Sequence, residues 1–283
     1  MTTCLRNSWR FLLLVCGMTA LTAVAALAQP KTSAQTRSCR QPPCVTRTGQ
    51  TIIDAKLPDD AAVERMLKPY SGKVRALNVV IGKLDGELRK GGVGAGSLGN
   101  FVTDGIRSQA SARLGKPVLL AVTNSGGLRK NTIAAGELRA SDIFELMPFE
   151  NALVEVELKG EDLIKLLGVI LDSRDAQSGA KVQYRMNGEK AELVGAKFID
   201  SQGQETEIDP NATYSLITID YLVNLASGRY SILQRGKKAT PLGITLRDAL
   251  MNYVKAETAA GRPIRAMLDK RFVNVNPEGQ PND

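Results

Sequence analysis

Pro117-Val-Leu-Leu-Ala-Val-Thr-Asn-Ser-Gly-Gly-Leu-Arg129 joins an apolar run to a turn rich in glycine. Residues 117–123 are apolar almost throughout, the pattern of a strand covered on both faces in a layered α/β fold. Asn124-Ser-Gly-Gly-Leu-Arg129 then brings backbone without side chains next to a guanidinium. Glycine has no Cβ to hold a ligand away. Arginine presents a planar fork of donors that matches carboxylate or phosphate oxygens. A glycine-rich loop is a weak signal by itself, and a tight turn with a solvated arginine is the plainer alternative.

The flanks repeat the alternation of helix and strand. Ser97 is placed to cap a helix over 98–114, with Leu98, Phe101, Val102, Ile106, Ala110 and Leu114 on one stripe and Gly115 at its end. A short helix is expected near 141–146, before Met147-Pro-Phe149. Residues 152–158 alternate as a strand, and 161–171 form an amphipathic helix with acids at its start. Strands are expected over 181–186 and 191–193 around a hairpin at Asn187-Gly188, then over 195–200, 205–208 and 213–219. Thr245–Ala256 reads as a helix. Nearer the start, Asp59 or Asp60 caps a helix to about Lys68 with Ala62, Val63, Met66 and Leu67 inward, and Ser71-Gly72 breaks it. Residues 82–96 are dense in glycine and read as irregular.

Composition narrows the chemistry. The 283 residues are 43% hydrophobic and 23% charged, with a net charge of +8. Arg6 and Arg10 precede the apolar run from Phe11 to Ala25, and Ala26-Leu-Ala28 follows. This is the pattern of a secretory signal peptide over 1–28, so the chain is expected to be exported, periplasmic or secreted, without a stable membrane anchor. Those two arginines are the only charges in the segment, so its loss takes +8 to +6. Residues 29–50 read as a flexible linker in which Cys39 and Cys44 form a local disulfide in an oxidising compartment. A folded domain is expected over 51–275 and a polar tail over 276–283, with fraying from about 274. The remaining lysines and arginines are scattered, as on a solvated surface, so no nucleic acid partner is expected.

The chain contains no histidine. That removes the usual Ser-His-Asp and Cys-His nucleophile systems and the common histidine-bearing metal sites. No catalytic residue is assigned, and no metal or other cofactor is expected in this chain.

Four motifs occur in order: Ser97-Leu-Gly-Asn-Phe-Val-Thr-Asp104, Thr123-Asn-Ser-Gly-Gly-Leu-Arg129, Gly136-Glu-Leu with Met147-Pro-Phe-Glu-Asn151, and Val154-Glu-Val-Glu-Leu-Lys-Gly160. Together they resemble the C-terminal domain of the 5′-nucleotidase family, over about residues 55–275. The resemblance implies layered mixed sheets with helices packed on them, and a site for a nucleotide or nucleoside. It implies that Asn124, Gly126, Gly127 and Arg129 lie along phosphate or ribose, with Phe149 and Tyr221 as two aromatic faces against the base. Core packing is the alternative for each ring. The family's Gly-Gly-Asp-Gly stretch after the second aromatic is replaced by Leu225-Ala-Ser-Gly-Arg-Tyr230, which loses the acid and brings in Arg229. The family's upstream arginine is also absent, leaving Arg89 or Lys90 as stand-ins.

The family's metallophosphoesterase domain, which holds two metal ions and the catalytic histidine, has no counterpart in this sequence. The expectation is therefore an exported substrate-binding half of a split phosphohydrolase. Divalent metals would sit on a separate metallophosphoesterase chain, and the isolated chain would have no hydrolase activity. A stand-alone non-catalytic nucleotide binder, or a drifted scaffold, is the alternative.

Overall fold

The apolar run forms an inner strand of a five-stranded mixed sheet, and the glycine turn leaves that strand's carboxyl end. The computed structural model describes residues 52–225, 228–237, 239–265 and 267–276. The segments expected as a signal peptide and as a linker with a Cys39–Cys44 disulfide, and residues 277–283 of the expected tail, lie outside the described residues. Residues 52–58 belong to a separate first unit and contain a turn in which Leu57 N–H donates to Asp54 O.

From Asp59 the chain forms a second unit. It runs α1 (Ala61–Ala76), β1 (Val80–Leu84), β2 (Leu88–Arg89), α2 (Gly96–Leu114), β3 (Leu120–Thr123), β4 (Thr132–Ile133), β5 (Gly136–Arg139) and α3 (Ala140–Leu146). It continues with β6 (Ala152–Lys159), α4 (Gly160–Asp172), β7 (Ala176–Ser178), β8 (Ala180–Asn187), β9 (Lys190–Ile199), β10 (Glu205–Glu207) and β11 (Thr213–Ile219). Then follow α5 (Asp220–Asn224), β12 (Thr240–Thr245), α6 (Leu246–Ala259) and β13 (Phe272–Asn274).

The main sheet has the order β12-β6-β11-β3-β7, and a second has the order β10-β9-β8-β13. Two short pairs, β1-β5 and β2-β4, complete the strands. β3 is buried at every position, as a strand covered on both faces must be. Helix α2 packs its stripe of Leu98, Phe101, Val102, Ile106 and Ala110 into the core and ends at Gly115 with φ +64°. The mixed-sheet α/β architecture agrees with the expectation from the motifs.

Several local expectations are corrected. Helix α1 runs through Ser71-Gly72, where a break was expected. Asp60 Oδ1 accepts from Ala62 N–H and Val63 N–H, and one interior glycine costs only about 1 kcal/mol. Val63, Met66 and Leu67, expected inward, are exposed, and no residue of α1 is buried. Ser97 is not the cap of α2. Ala95 occupies that position, and Ser97 Oγ instead accepts Arg89 N–H at 2.9 Å, tying β2 to the helix. The expected pieces 191–193 and 195–200 are one strand, β9, bulged opposite Gln183/Tyr184. Fraying was expected from about residue 274, but Phe272–Asn274 pair in parallel with β8. Arg271 anchors that strand by donating to Asp104, Asp269 and the carbonyl of Gln177.

Candidate functional site

Strand directions decide which distant segments meet. β3 and β11 are parallel neighbours, so their C-terminal ends lie at one edge of the sheet. β6 runs antiparallel to β11 with Leu153 opposite Ile219, so β6 starts at that edge. β7 runs antiparallel to β3 with Ala176 opposite Thr123, so it starts there too. The four segments just outside these strands therefore converge: Asn124–Arg129, Phe149–Asn151, Ser173–Asp175 and Asp220–Tyr221. The crevice beyond the carboxyl ends of parallel strands is where open α/β sheets bind ligands.

The turn after β3 is held from several sides. Ser125–Gly127 form one tight helical turn closed by Gly127 N–H to Asn124 O and Leu128 N–H to Ser125 O. Arg129 N–H donates to Leu146 O at 2.8 Å, and Lys90 Nζ donates to Leu128 O at 2.9 Å. The strongest tie comes from Asp175, only 4% exposed. Its Oδ1 accepts Ser125 N–H at 2.6 Å, and its Oδ2 accepts the Tyr230 hydroxyl. Burial, and next the Asp175 charge, push the Tyr230 phenol well above its ordinary titration range, so the hydroxyl stays a donor.

The converging segments enclose a hollow of about 300 Å³ lined by Asn124, Gly126, Gly127, Arg129, Phe149, Asn151 and Tyr221. All six residues expected at a ligand site are brought together there. Phe149 is 44% exposed and Tyr221 is 50% exposed, so neither ring is core packing. Arg129 is exposed, and its guanidinium makes only a long 3.4 Å approach to Gly126 O. Asn124 Oδ1 is buried without a hydrogen-bond partner among the described residues. A Cβ on Gly127 would come within 3.3 Å of that oxygen, so the second glycine leaves room for the amide beneath the turn.

Asp220 and Arg247 set the wall opposite. Asp220 Oδ1 accepts Ala152 N–H at 3.1 Å and Tyr221 N–H at 2.7 Å, linking the start of β6 to the start of α5. Arg247, 7% exposed, lies 4.2 Å above the Phe144 ring and pairs with Glu150, the neighbour of Phe149.

The two secondary candidates separate. Arg229 lines an adjoining hollow. Arg89 lies outside both hollows and pairs with Glu87; of the two upstream cations, Lys90 is the one that reaches the turn. Sequence reasoning did not single out Asn151 or Asp175. Asn151 stood in the quoted Met-Pro-Phe-Glu-Asn motif and was legible as its last residue. Asp175 carried no signal, since its partner Ser125 is fifty positions away.

Among the described residues no group of three or more His, Cys, Asp or Glu side chains is placed to hold a metal ion. With no histidine in the chain, the donor set does not fit the two-metal centre that the motifs' family carries elsewhere.

The family model described as 5′-nucleotidase, C-terminal domain, matches residues 76–235. Endonuclease YhcR of Bacillus subtilis is 25% identical over 210 residues, covering 72% of this chain and 16% of that protein. Protein UshA of Yersinia enterocolitica is 28% identical over 171 residues, covering 59% of this chain and 29% of its own length. Among solved structures, a 5′-nucleotidase precursor from Thermus thermophilus superposes with a TM-score of 0.63 at 23% identity. That superposition covers 77% of this chain and 44% of the Thermus chain, and it speaks for the fold. The chain thus spans less than a third of the length of these two curated relatives.

Proposed function

Since the chain belongs to the 5′-nucleotidase C-terminal domain family, we propose that it is the substrate-recognition half of a split phosphohydrolase, binding a nucleotide or nucleoside. The observation that carries this reading is the hollow in which Arg129 and the exposed rings of Phe149 and Tyr221 line one cavity. Base stacking on such rings is worth about 1–3 kcal/mol per base and tolerates different bases. Arg129 supplies a charged fork for a phosphate oxygen. Gly126 and Gly127 let the ligand approach the backbone, and the amides of Asn124 and Asn151 offer donors and acceptors to a base or sugar.

Chemistry in this proposal comes from a separate metallophosphoesterase chain, which brings the divalent metals and the attacking group around the same ligand. Positioning and chemistry can sit on different bodies when they meet at one substrate. The proposal includes export, on the grounds of Arg6, Arg10, the apolar run 11–25 and the Ala26-Leu-Ala28 exit. Among the described residues no helix is long and apolar enough to cross a membrane.

Calorimetric titration with AMP, adenosine and inorganic phosphate tests the binding step. AMP is expected to bind on the order of micromolar, adenosine more weakly, and phosphate alone without measurable heat. Silence from AMP and adenosine alike would overturn the reading.

A further inference from the structure

The site has a second compartment. A hollow of about 380 Å³ adjoins the first and shares Asn124, Gly126 and Tyr221 with it as a common wall. Its far side is formed by Ser173, Asp175 and the Gly228–Tyr230 segment, with Arg229 among them. Arg229 Nη1 donates to Ser173 Oγ at 2.7 Å. That bond orients the guanidinium, which makes no ion pair among the described residues. The two hollows therefore each carry one arginine, Arg129 in the first and Arg229 in the second, with the Tyr221 ring between them.

Asp175 also faces the second hollow, and its charge opposes an anion there. Both of its oxygens are already taken, one by Ser125 N–H and one by the Tyr230 hydroxyl, and it is 4% exposed. A free anion meets Arg229 and Asp175 together and gains little. A phosphoryl group tethered to a base already docked in the first hollow arrives at high effective concentration and needs only Arg229 and Ser173 to hold it.

We propose that the second hollow is a phosphoryl subsite, so that the preferred ligand is a nucleoside phosphorylated at two separate positions of its sugar. This rests on the nucleotide-binding reading of the first hollow. A nucleoside whose base lies on the shared wall then directs one sugar phosphate toward Arg129 and the other toward Arg229, one to each hollow.

The test compares AMP, ADP and adenosine 3′,5′-bisphosphate on the full chain by calorimetry. The quantity read is the ratio of AMP to bisphosphate dissociation constants. About a tenfold preference for the bisphosphate is expected at low salt, shrinking as ionic strength rises. Arg229→Gln should bring the ratio close to one, and Ser173→Ala should leave an intermediate value. Arg229 is exposed, so a thermal melt of R229Q should overlay that of the parent chain. Equal affinities for AMP and bisphosphate would overturn the subsite while leaving the first hollow's reading intact. So would a preference that survives R229Q. An equal gain for ADP that depends on Arg229 would overturn the requirement for two separate positions. No binding of any of the three would remove the nucleotide reading itself, and this proposal with it.

Discussion

Arg129 illustrates how a single side chain can be read by elimination at the residue scale. It is exposed, and its one side-chain approach within the protein is 3.4 Å long, so it contributes little to folding. Arg129→Ala should weaken AMP binding about 10- to 100-fold, the size of a lost charge-assisted contact, and shift the melting temperature by no more than about 1–2 °C. Unchanged affinity in the titration would return Arg129 to ordinary solvated surface. Asp175 should behave in the opposite way. Asp175→Ala leaves Ser125 N–H and the Tyr230 hydroxyl without their shared acceptor, at a cost of about 2–4 kcal/mol. Asp175→Asn keeps an acceptor for Ser125 and should recover much of that loss in a denaturant titration. If alanine and asparagine prove equally mild, Asp175 does not hold the turn.

Helices and strands show the same division between local signal and packing. The stripe on α2 predicted its buried face correctly, whereas the stripe of Val63, Met66 and Leu67 on α1 predicted a buried face that does not exist. Periodicity reports that a helix has an apolar side; it does not report what covers it. Gly94 is fixed by packing against a residue far from it in sequence. It has φ +81°, and a Cβ there would lie 2.4 Å from the Phe272 ring that starts β13. Gly94→Ala should therefore cost about 2–4 kcal/mol from combined backbone strain and overpacking, measured by chemical denaturation.

Between β6 and β11, Glu155 accepts the Ser215 hydroxyl and pairs with Lys116 Nζ at 2.9 Å. The Ser215 bond, and then Lys116, hold the carboxyl below its usual 4.5. A carboxyl whose folded value is depressed stabilises the fold above its unfolded value and loses that contribution as pH falls through the folded one. Stability should thus decline on the acid side of about pH 4.5, and Glu155→Gln should make that decline shallower. Parallel acid curves for the two proteins would show that the Ser215–Glu155–Lys116 group plays no part in it.

For the whole molecule, the proposed division of labour has a direct consequence. A histidine-free chain whose described residues hold no metal-ligating cluster should not release phosphate from AMP when Mg²⁺ or Mn²⁺ is added. Release should appear only when a metallophosphoesterase chain joins it. Metal-dependent phosphate release by this polypeptide alone, in a standard phosphate assay, would end the split-hydrolase proposal. The relatives extend far beyond the region they share with this chain.

The sequence by itself determined the alternation of helix and strand, the largely apolar β3, the glycine turn after it and the family-like order of the four motifs. These are legible because apolar spacing, glycine and capping residues act within a few positions of one another. The tertiary structure decided the rest: the shared edge that gathers Asn124, Phe149 and Tyr221, the hidden support of Asp175 under Ser125, and the parting of Arg89 from Arg229. Those outcomes follow from strand direction and pairing between segments tens of residues apart, and no local pattern in the chain records which edges will meet.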